Sequence, residues 1–94
     1  MNLAAFKNSL KMDAPGDQLS APLIALWYDA KGDWNAAHSR VDHLSDRVSA
    51  RIHAYLHRKE GDIWNADYWY RRAGESRPQI SLEEEWEELV LRYL

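Results

Sequence analysis

The chain has 94 residues, of which 46% are apolar and 29% are charged, with a formal net charge of −3. This length allows one domain with its own core, residues 1–94, and is too short for two. Cysteine is absent, which excludes disulfides, thiolate metal sites and cysteine nucleophiles and is typical of a reducing compartment. Because no run is apolar enough for a secretion signal or a membrane span, we expect a cytoplasmic protein without a membrane partner.

Acidic charge is concentrated near the C-terminal end. Residues 82–94 contain five Glu and one Arg, so the preceding residues carry a net charge of +1. Basic residues form only short clusters that lie next to glutamates, at Arg58, Lys59, Arg71, Arg72 and Arg77. We therefore expect no nucleic-acid partner.

Apolar residues recur at helical spacing along the whole chain, and no segment alternates as a strand does. The first helix is predicted over about residues 2–12. The second runs over about residues 19–30 and tolerates Pro22 in its first turn. The third begins after Asp33, and its apolar stripe ends at Leu44.

Three more helices are predicted in the second half of the chain. Ser45 or Asp46 is the expected N-cap of a fourth helix that ends at about residue 60. Asp62 is expected to cap a fifth helix, which ends before Gly74. Ser81 and Glu84 have the spacing of a capping box for the last helix.

A Gly-Asp pair occurs at Gly32 and again 29 residues later at Gly61. Each glycine is placed to end one helix, and the aspartate after it is placed to cap the next. The recurrence predicts two stacked helix hairpins.

Both hairpins resemble tetratricopeptide repeats. The second matches in its small, turn and aromatic positions at Ala54, Gly61, Asp62, Ala66, Trp69, Tyr70, Ala73 and Pro78. The first matches at Ala25, Tyr28, Gly32, Asp33, Trp34 and Ala37. The chain is also similar to short, uncharacterised bacterial tetratricopeptide-like proteins.

This resemblance implies an all-α fold of five or six antiparallel helices. Two tetratricopeptide-like hairpins over residues 21–78 would be capped by N- and C-terminal helices, and no activity is implied. The interval of 29 residues is shorter than the standard repeat of about 34, so we expect a clipped helix or tight corner between Asp42 and Arg47.

In such repeats the first helix of each unit lines a concave surface. The resemblance then implies a partner-binding surface made of Arg51, Tyr55, Arg58 and Lys59, together with Leu19, Pro22, Leu26 and Asp29. Its basic and tyrosine side chains suit an acidic protein or peptide. The alternative is that the apolar and aromatic members are core and the basic ones are solvated.

A second candidate surface follows the fifth helix through Trp64, Tyr68 and Arg71. If exposed, this stripe should be a protein interface, including one between identical chains. If Trp86 and Tyr93 of the last helix cover it, the stripe is core, which is the outcome we slightly favour.

His53 and His57 are four residues apart on one helix face, and Glu60 lies one turn further. They make a zinc or nickel set, although the glutamate of a zinc-hydrolase helix is missing between the histidines. The interpretation that we favour is partly buried histidines that are hydrogen-bonded near the repeat interface, with metal binding as the alternative. His38 and His43 are five apart and are expected to face different directions.

Catalytic patterns are missing elsewhere in the sequence. Most of the other carboxylates lie at helix ends and turns, where capping explains them, and the four glycines are isolated turn formers. We therefore predict a non-catalytic protein or peptide interaction module without a cofactor or metal. The alternative is a metal-binding protein or metal-dependent enzyme centred on His53, His57 and Glu60.

Overall fold

A computed structural model describes all 94 residues and contains six helices and no strand. The helices are α1 (Leu3–Ser9), α2 (Ala21–Ala30), α3 (Trp34–Ser39), α4 (Arg47–Glu60), α5 (Ile63–Arg72) and α6 (Leu82–Tyr93). The all-α prediction is therefore confirmed. None of these helices combines the length and the apolar character that crossing a bilayer requires.

The helix starts lie where the capping residues place them. The Asp46 carboxylate accepts a hydrogen bond from the Ser49 N–H at 3.0 Å, which makes Asp46 the N-cap of α4. At the start of α6, Ser81 and Glu84 form the predicted capping box through reciprocal bonds of 3.0 and 3.2 Å. These bonds satisfy end amides that helical geometry leaves free.

Two helices are shorter than predicted. Helix α1 ends at Ser9, and the carbonyls of Leu10 and Met12 beyond it accept hydrogen bonds from Lys31 Nζ instead. Helix α3 ends at Ser39 and is followed by turns over residues 40–43 and an irregular segment up to Asp46. The clipped helix and tight corner expected in this region are therefore present.

Helices α2 and α3 form one hairpin, and α4 and α5 form the other. Gly32 and Gly61 stand at the two hinges with φ of +84° and +89°. The N–H of the aspartate after each glycine reaches back five residues, from Asp33 to the Tyr28 carbonyl and from Asp62 to the His57 carbonyl. Glycine is favoured here because a Cβ is strained at positive φ.

This geometry predicts that Gly61→Ala lowers the free energy of unfolding by about 1–2 kcal/mol. The cause is backbone strain, since nothing lies within 4 Å of a Cβ built at Gly61. Gly16→Ala is the matched control, because its φ is not in the left-handed region and its surroundings are also open. Urea unfolding of both variants tests the prediction, and equal stabilities would contradict the left-handed hinge.

The main core cluster joins five of the six helices. Its buried members are Phe6, Leu23, Ala25, Leu26, Trp27, Ala37, Val41, Ile52, Tyr55, Leu56, Trp86, Leu89 and Val90. A smaller cluster of Ala54, Ala66 and Tyr70 lies between α4 and α5, the most extensively packed helix pair. Its alanines let the two helix axes approach closely.

Helix α6 packs against α1, α2 and α4 and leaves the outer face of α5 uncovered. Trp86 anchors it, because its indole N–H donates to the Leu26 carbonyl at 2.9 Å and its ring lies 5.9 Å from that of Phe6. The last helix thus covers the side of α2 and α4 that the repeat resemblance implied would be open.

Candidate functional site

Arg51 and Tyr55 belong to the interior, which corrects the expectation that they line an open groove. Each is only 2% exposed, because α6 lies over them. Arg51 Nη1 lies 2.7 Å from Glu85 Oε2, and Arg51 Nε donates to Glu75 Oε1 at 3.1 Å. Neither residue is accessible to a partner.

Glu85 is fully buried, and its carboxylate accepts hydrogen bonds from side chains of the second hairpin. Arg58 Nη1 donates to its Oε1 at 2.7 Å, and Tyr70 OH donates to its Oε2 at 2.6 Å. Burial, together with the bond to Glu85, raises the pKa of Tyr70, so the phenol stays protonated and remains a donor. Arg58 is therefore bonded to groups of the same chain and is not part of an open binding surface.

Asp29 pairs with two residues of the predicted binding surface, Lys59 and Tyr55. Lys59 Nζ lies 2.9 Å from its Oδ1, and Tyr55 OH donates to its Oδ2 at 2.8 Å. The Lys59 side chain is 39% exposed but is paired with a carboxylate. The carboxylates come from Asp29 and Glu85 of the same chain.

The three residues predicted on α5 have the opposite outcome, because they lie on the surface rather than in the core. Trp64 is 81% exposed, and Tyr68 and Arg71 are exposed as well. The Arg72 guanidinium lies 5.9 Å from the Tyr68 ring centroid and donates to the Tyr68 hydroxyl at 3.1 Å. The reason is that α6 packs on α1, α2 and α4 and does not reach this face.

An open polar cleft of about 760 Å³ borders this face, between α5 and the segment that leads into α6. Arg71 and Arg77 line it from its two sides. Arg77 Nε donates to Asp67 Oδ1 at 3.0 Å, which balances the acid on the cleft wall. Arg71 has no acidic partner within ion-pair distance, so its charge is available to a ligand.

Three histidines meet between the two hairpins. His38 of α3 joins His53 and His57 of α4, and one nitrogen of each ring lies within 4.8 Å of the others. His38 Nε2 and His53 Nε2 are 2.9 Å apart. Residue spacing revealed the pair on α4 but missed His38, since only the packing of α3 on α4 brings it there.

Aromatic rings and carboxylates enclose this histidine cluster. Trp34 stacks on His38 with ring centroids 4.6 Å apart, and Trp69 stacks on His53 at 4.1 Å. Glu60 Oε1 lies 2.5 Å from His57 Nδ1, and Asp42 Oδ2 lies 3.6 Å from His38 Nδ1. Glu60, predicted as a metal ligand with His53 and His57, thus lies on the outer side of His57.

Two of the three imidazoles, those of His38 and His53, are neutral at pH 7. Burial, reinforced by the neighbouring histidines, lowers the pKa of His53 to about 4. Burial and the proximity of His57 also lower the pKa of His38. Neutral rings keep a free lone pair, which is the form that binds transition metals.

The other histidine and the other acids near this cluster are arranged differently. His43 is exposed and pairs only with Asp42, so it lies outside the cluster. His57, Glu60 and Asp62 form a second group with metal-ligand spacing, in which both acids are solvent-exposed. Asp62 also caps α5 and is engaged there.

Comparison of the chain with family models, curated proteins and solved structures gives no match. The functional argument therefore depends on the geometry of the α5 surface and of the histidine cluster.

Proposed function

We propose that the protein is a small, non-catalytic interaction module that binds an acidic segment of another protein through the outer face of α5. Two hairpins that resemble tetratricopeptide repeats would serve as its scaffold. The main support is Trp64, a tryptophan that is 81% exposed on a rigid helix. The lack of cysteine supports a cytoplasmic location.

The apolar part of this surface is continuous. Trp64 and Tyr68 are four residues apart, so their rings lie on one side of α5, and Ile63 is also partly exposed beside them. Tryptophan, tyrosine and arginine are the residues most enriched at the energetic centres of protein interfaces. We call Trp64, Tyr68, Arg71 and Arg72 the α5 face.

The charge of the α5 face favours an acidic partner. Arg71 is free of acidic partners, and the nearby carboxylate of Asp67 is already neutralised by Arg77. Guanidinium groups bind carboxylates with two parallel hydrogen bonds, which adds geometric specificity. The partner should therefore present an apolar side chain to Trp64 and carboxylates to Arg71.

Selection from a random peptide display library tests this chemistry without a known partner. The protein is immobilised, and peptides that also bind a Trp64→Ala/Arg71→Glu variant are removed. We expect the remaining peptides to be enriched in Asp and Glu beside aromatic or aliphatic residues. Enrichment of basic or neutral peptides, or no enrichment, would contradict an acidic partner.

Point variants then locate the binding site for a selected peptide. We expect Trp64→Ala to weaken binding about 30-fold, as for an interface hot spot. Arg71→Glu should weaken it as well, and the loss should shrink in high salt because salt screens exposed charges. Lys11→Glu is the matched control, since Lys11 is an exposed cation far along the chain from α5. Fluorescence anisotropy measures all of these affinities.

Sedimentation velocity examines whether a second copy of this chain occupies the α5 face. We expect a monomer across micromolar concentrations. A dimer that Trp64→Ala dissociates would assign the face to self-association and would overturn the acidic partner.

A further inference from the structure

We infer that His38, His53 and His57 form a binding site for a divalent transition-metal ion of the class that prefers imidazole, such as Zn²⁺ or Co²⁺. The ion would join α3 of the first hairpin to α4 of the second. This inference is independent of partner binding, because the histidine cluster lies between the hairpins and the α5 face points outward.

The distances fit coordination after a small adjustment. Zinc binds histidine nitrogen at about 2.0–2.1 Å, which places tetrahedral ligand nitrogens about 3.3 Å apart. His38 Nε2 and His53 Nε2 are already 2.9 Å apart, and all three ligand nitrogens lie within 4.8 Å of one another. Any of the other separations that exceeds about 3.3 Å would have to shorten by small side-chain rotations when an ion binds.

The outer nitrogens of two rings are oriented by carboxylates. Glu60 Oε1 lies 2.5 Å from Nδ1 of His57, so the ligand atom is Nε2, and an ion there would replace the 3.4 Å contact of Nε2 with Asn65 Nδ2. Asp42 Oδ2 lies 3.6 Å from Nδ1 of His38, which is ion-pair distance but too long for a hydrogen bond. A carboxylate on the distal nitrogen is the usual support for a metal-binding histidine, because it fixes the tautomer and makes the ring more basic.

The aromatic walls make the arrangement rigid. Trp34 stacks on His38, and its indole N–H donates to the Leu56 carbonyl at 2.8 Å, which fixes its position. Trp69 stacks on His53 from α5. Three nitrogen ligands leave one tetrahedral position for water, and the partly exposed edge of His38 gives solvent a route to it.

Imidazole ligands select the metal class. Nitrogen donors suit zinc, copper, nickel and cobalt, whereas calcium and magnesium require oxygen donors. The exposed group of His57, Glu60 and Asp62 is the competing site. The three-histidine site is favoured because its rings are largely buried and already in contact.

Co²⁺ titration of untagged protein treated with a chelator tests the inference. We expect visible absorption bands of tetrahedral Co²⁺ that saturate at one equivalent and disappear when Zn²⁺ is added. Zn²⁺ at about a hundredfold excess over its Kd should raise the Tm by about 10–20 °C. No cobalt spectrum together with no Tm shift would overturn the inference.

Three variants assign the ligands. His38→Ala should weaken Co²⁺ binding by at least about 100-fold, whereas His43→Ala, which removes an exposed histidine nearby, should leave it unchanged. Asp62→Asn keeps the cap of α5 and should also leave binding unchanged. Binding that survives His38→Ala, or that Asp62→Asn abolishes, would refute the three-histidine site. Circular dichroism of His38→Ala confirms that the variant is folded.

Discussion

Glu85→Ala is expected to lower the free energy of unfolding by about 3–5 kcal/mol. The Glu85 carboxylate is fully buried and lies within 2.7 Å of both Arg51 and Arg58. Removing it leaves two guanidinium groups with reduced access to water and without this counter-charge, and it leaves Tyr70 OH without an acceptor. The cost is the desolvation of these unpaired groups rather than the loss of one attraction.

Urea unfolding followed by circular dichroism measures this effect. Glu88→Ala is the matched control, because Glu88 is an exposed glutamate on the same helix that pairs with Arg92 at 3.3 Å. An exposed pair contributes less than about 1 kcal/mol, so the control should unfold almost as the parent does. Equal losses in the two variants would show that Glu85 is not the buried centre described here.

Trp86→Ala is expected to cost about 3–5 kcal/mol, the range for truncating a large buried aromatic residue. Trp86 is buried where α6 meets α1 and α2. The substitution leaves a cavity beside Phe6 and removes the donor to the Leu26 carbonyl. Because α1 packs mainly on α6, its docking should also weaken.

Trp64→Ala is the matched control for Trp86→Ala, since the same side chain is removed from an exposed position. Its stability should change by less than about 0.5 kcal/mol. Thermal unfolding measures both, with about 4–8 °C of Tm for each kcal/mol in a domain of this size. Trp86→Phe retains most of the apolar volume and should lie between the two. A Trp64→Ala loss as large as that of Trp86→Ala would contradict the exposed α5 face.

The side of α2 and α4 that was expected to bind a partner is covered by the chain itself. Helix α6 provides Glu85 to Arg51 and Arg58, and Asp29 of α2 provides a carboxylate to Lys59. The residue types predicted an acidic protein or peptide as ligand, and the acidic helix α6 has the same charge. They could not predict that the helix follows in the same chain, because both a partner and α6 satisfy the same charges.

Local features were predictable because their causes lie within a few residues. The caps at Asp46, Asp62 and Ser81 each involve an amide three residues ahead, and the glycine hinges require only a local φ. Helix number and the two hairpins follow from these signals. The ends of α1 and α3 were less predictable, because the apolar periodicity alone would continue both helices. After α1, the Leu10 and Met12 carbonyls accept hydrogen bonds from Lys31 instead, and after Ser39 the chain forms turns.

The candidate sites depended on contacts between distant residues. Helical periodicity places Tyr55 and Trp64 on faces of their helices, but it does not tell which face a neighbouring helix covers. The packing of α6 against α1, α2 and α4 buried Tyr55 and left Trp64 exposed. His38 is 15 residues from His53 in the chain and meets it only because α3 folds back on α4.

The sequence by itself therefore determined the all-α fold, the caps at Asp33, Asp46, Asp62 and Ser81 and the two glycine hinges, because backbone conformation and end amides respond to near neighbours. The tertiary structure decided which cations are internal, which tryptophan faces solvent and which histidines converge. Those outcomes depend on burial and on charge pairing across helices, and both are set only when the last helix is in place.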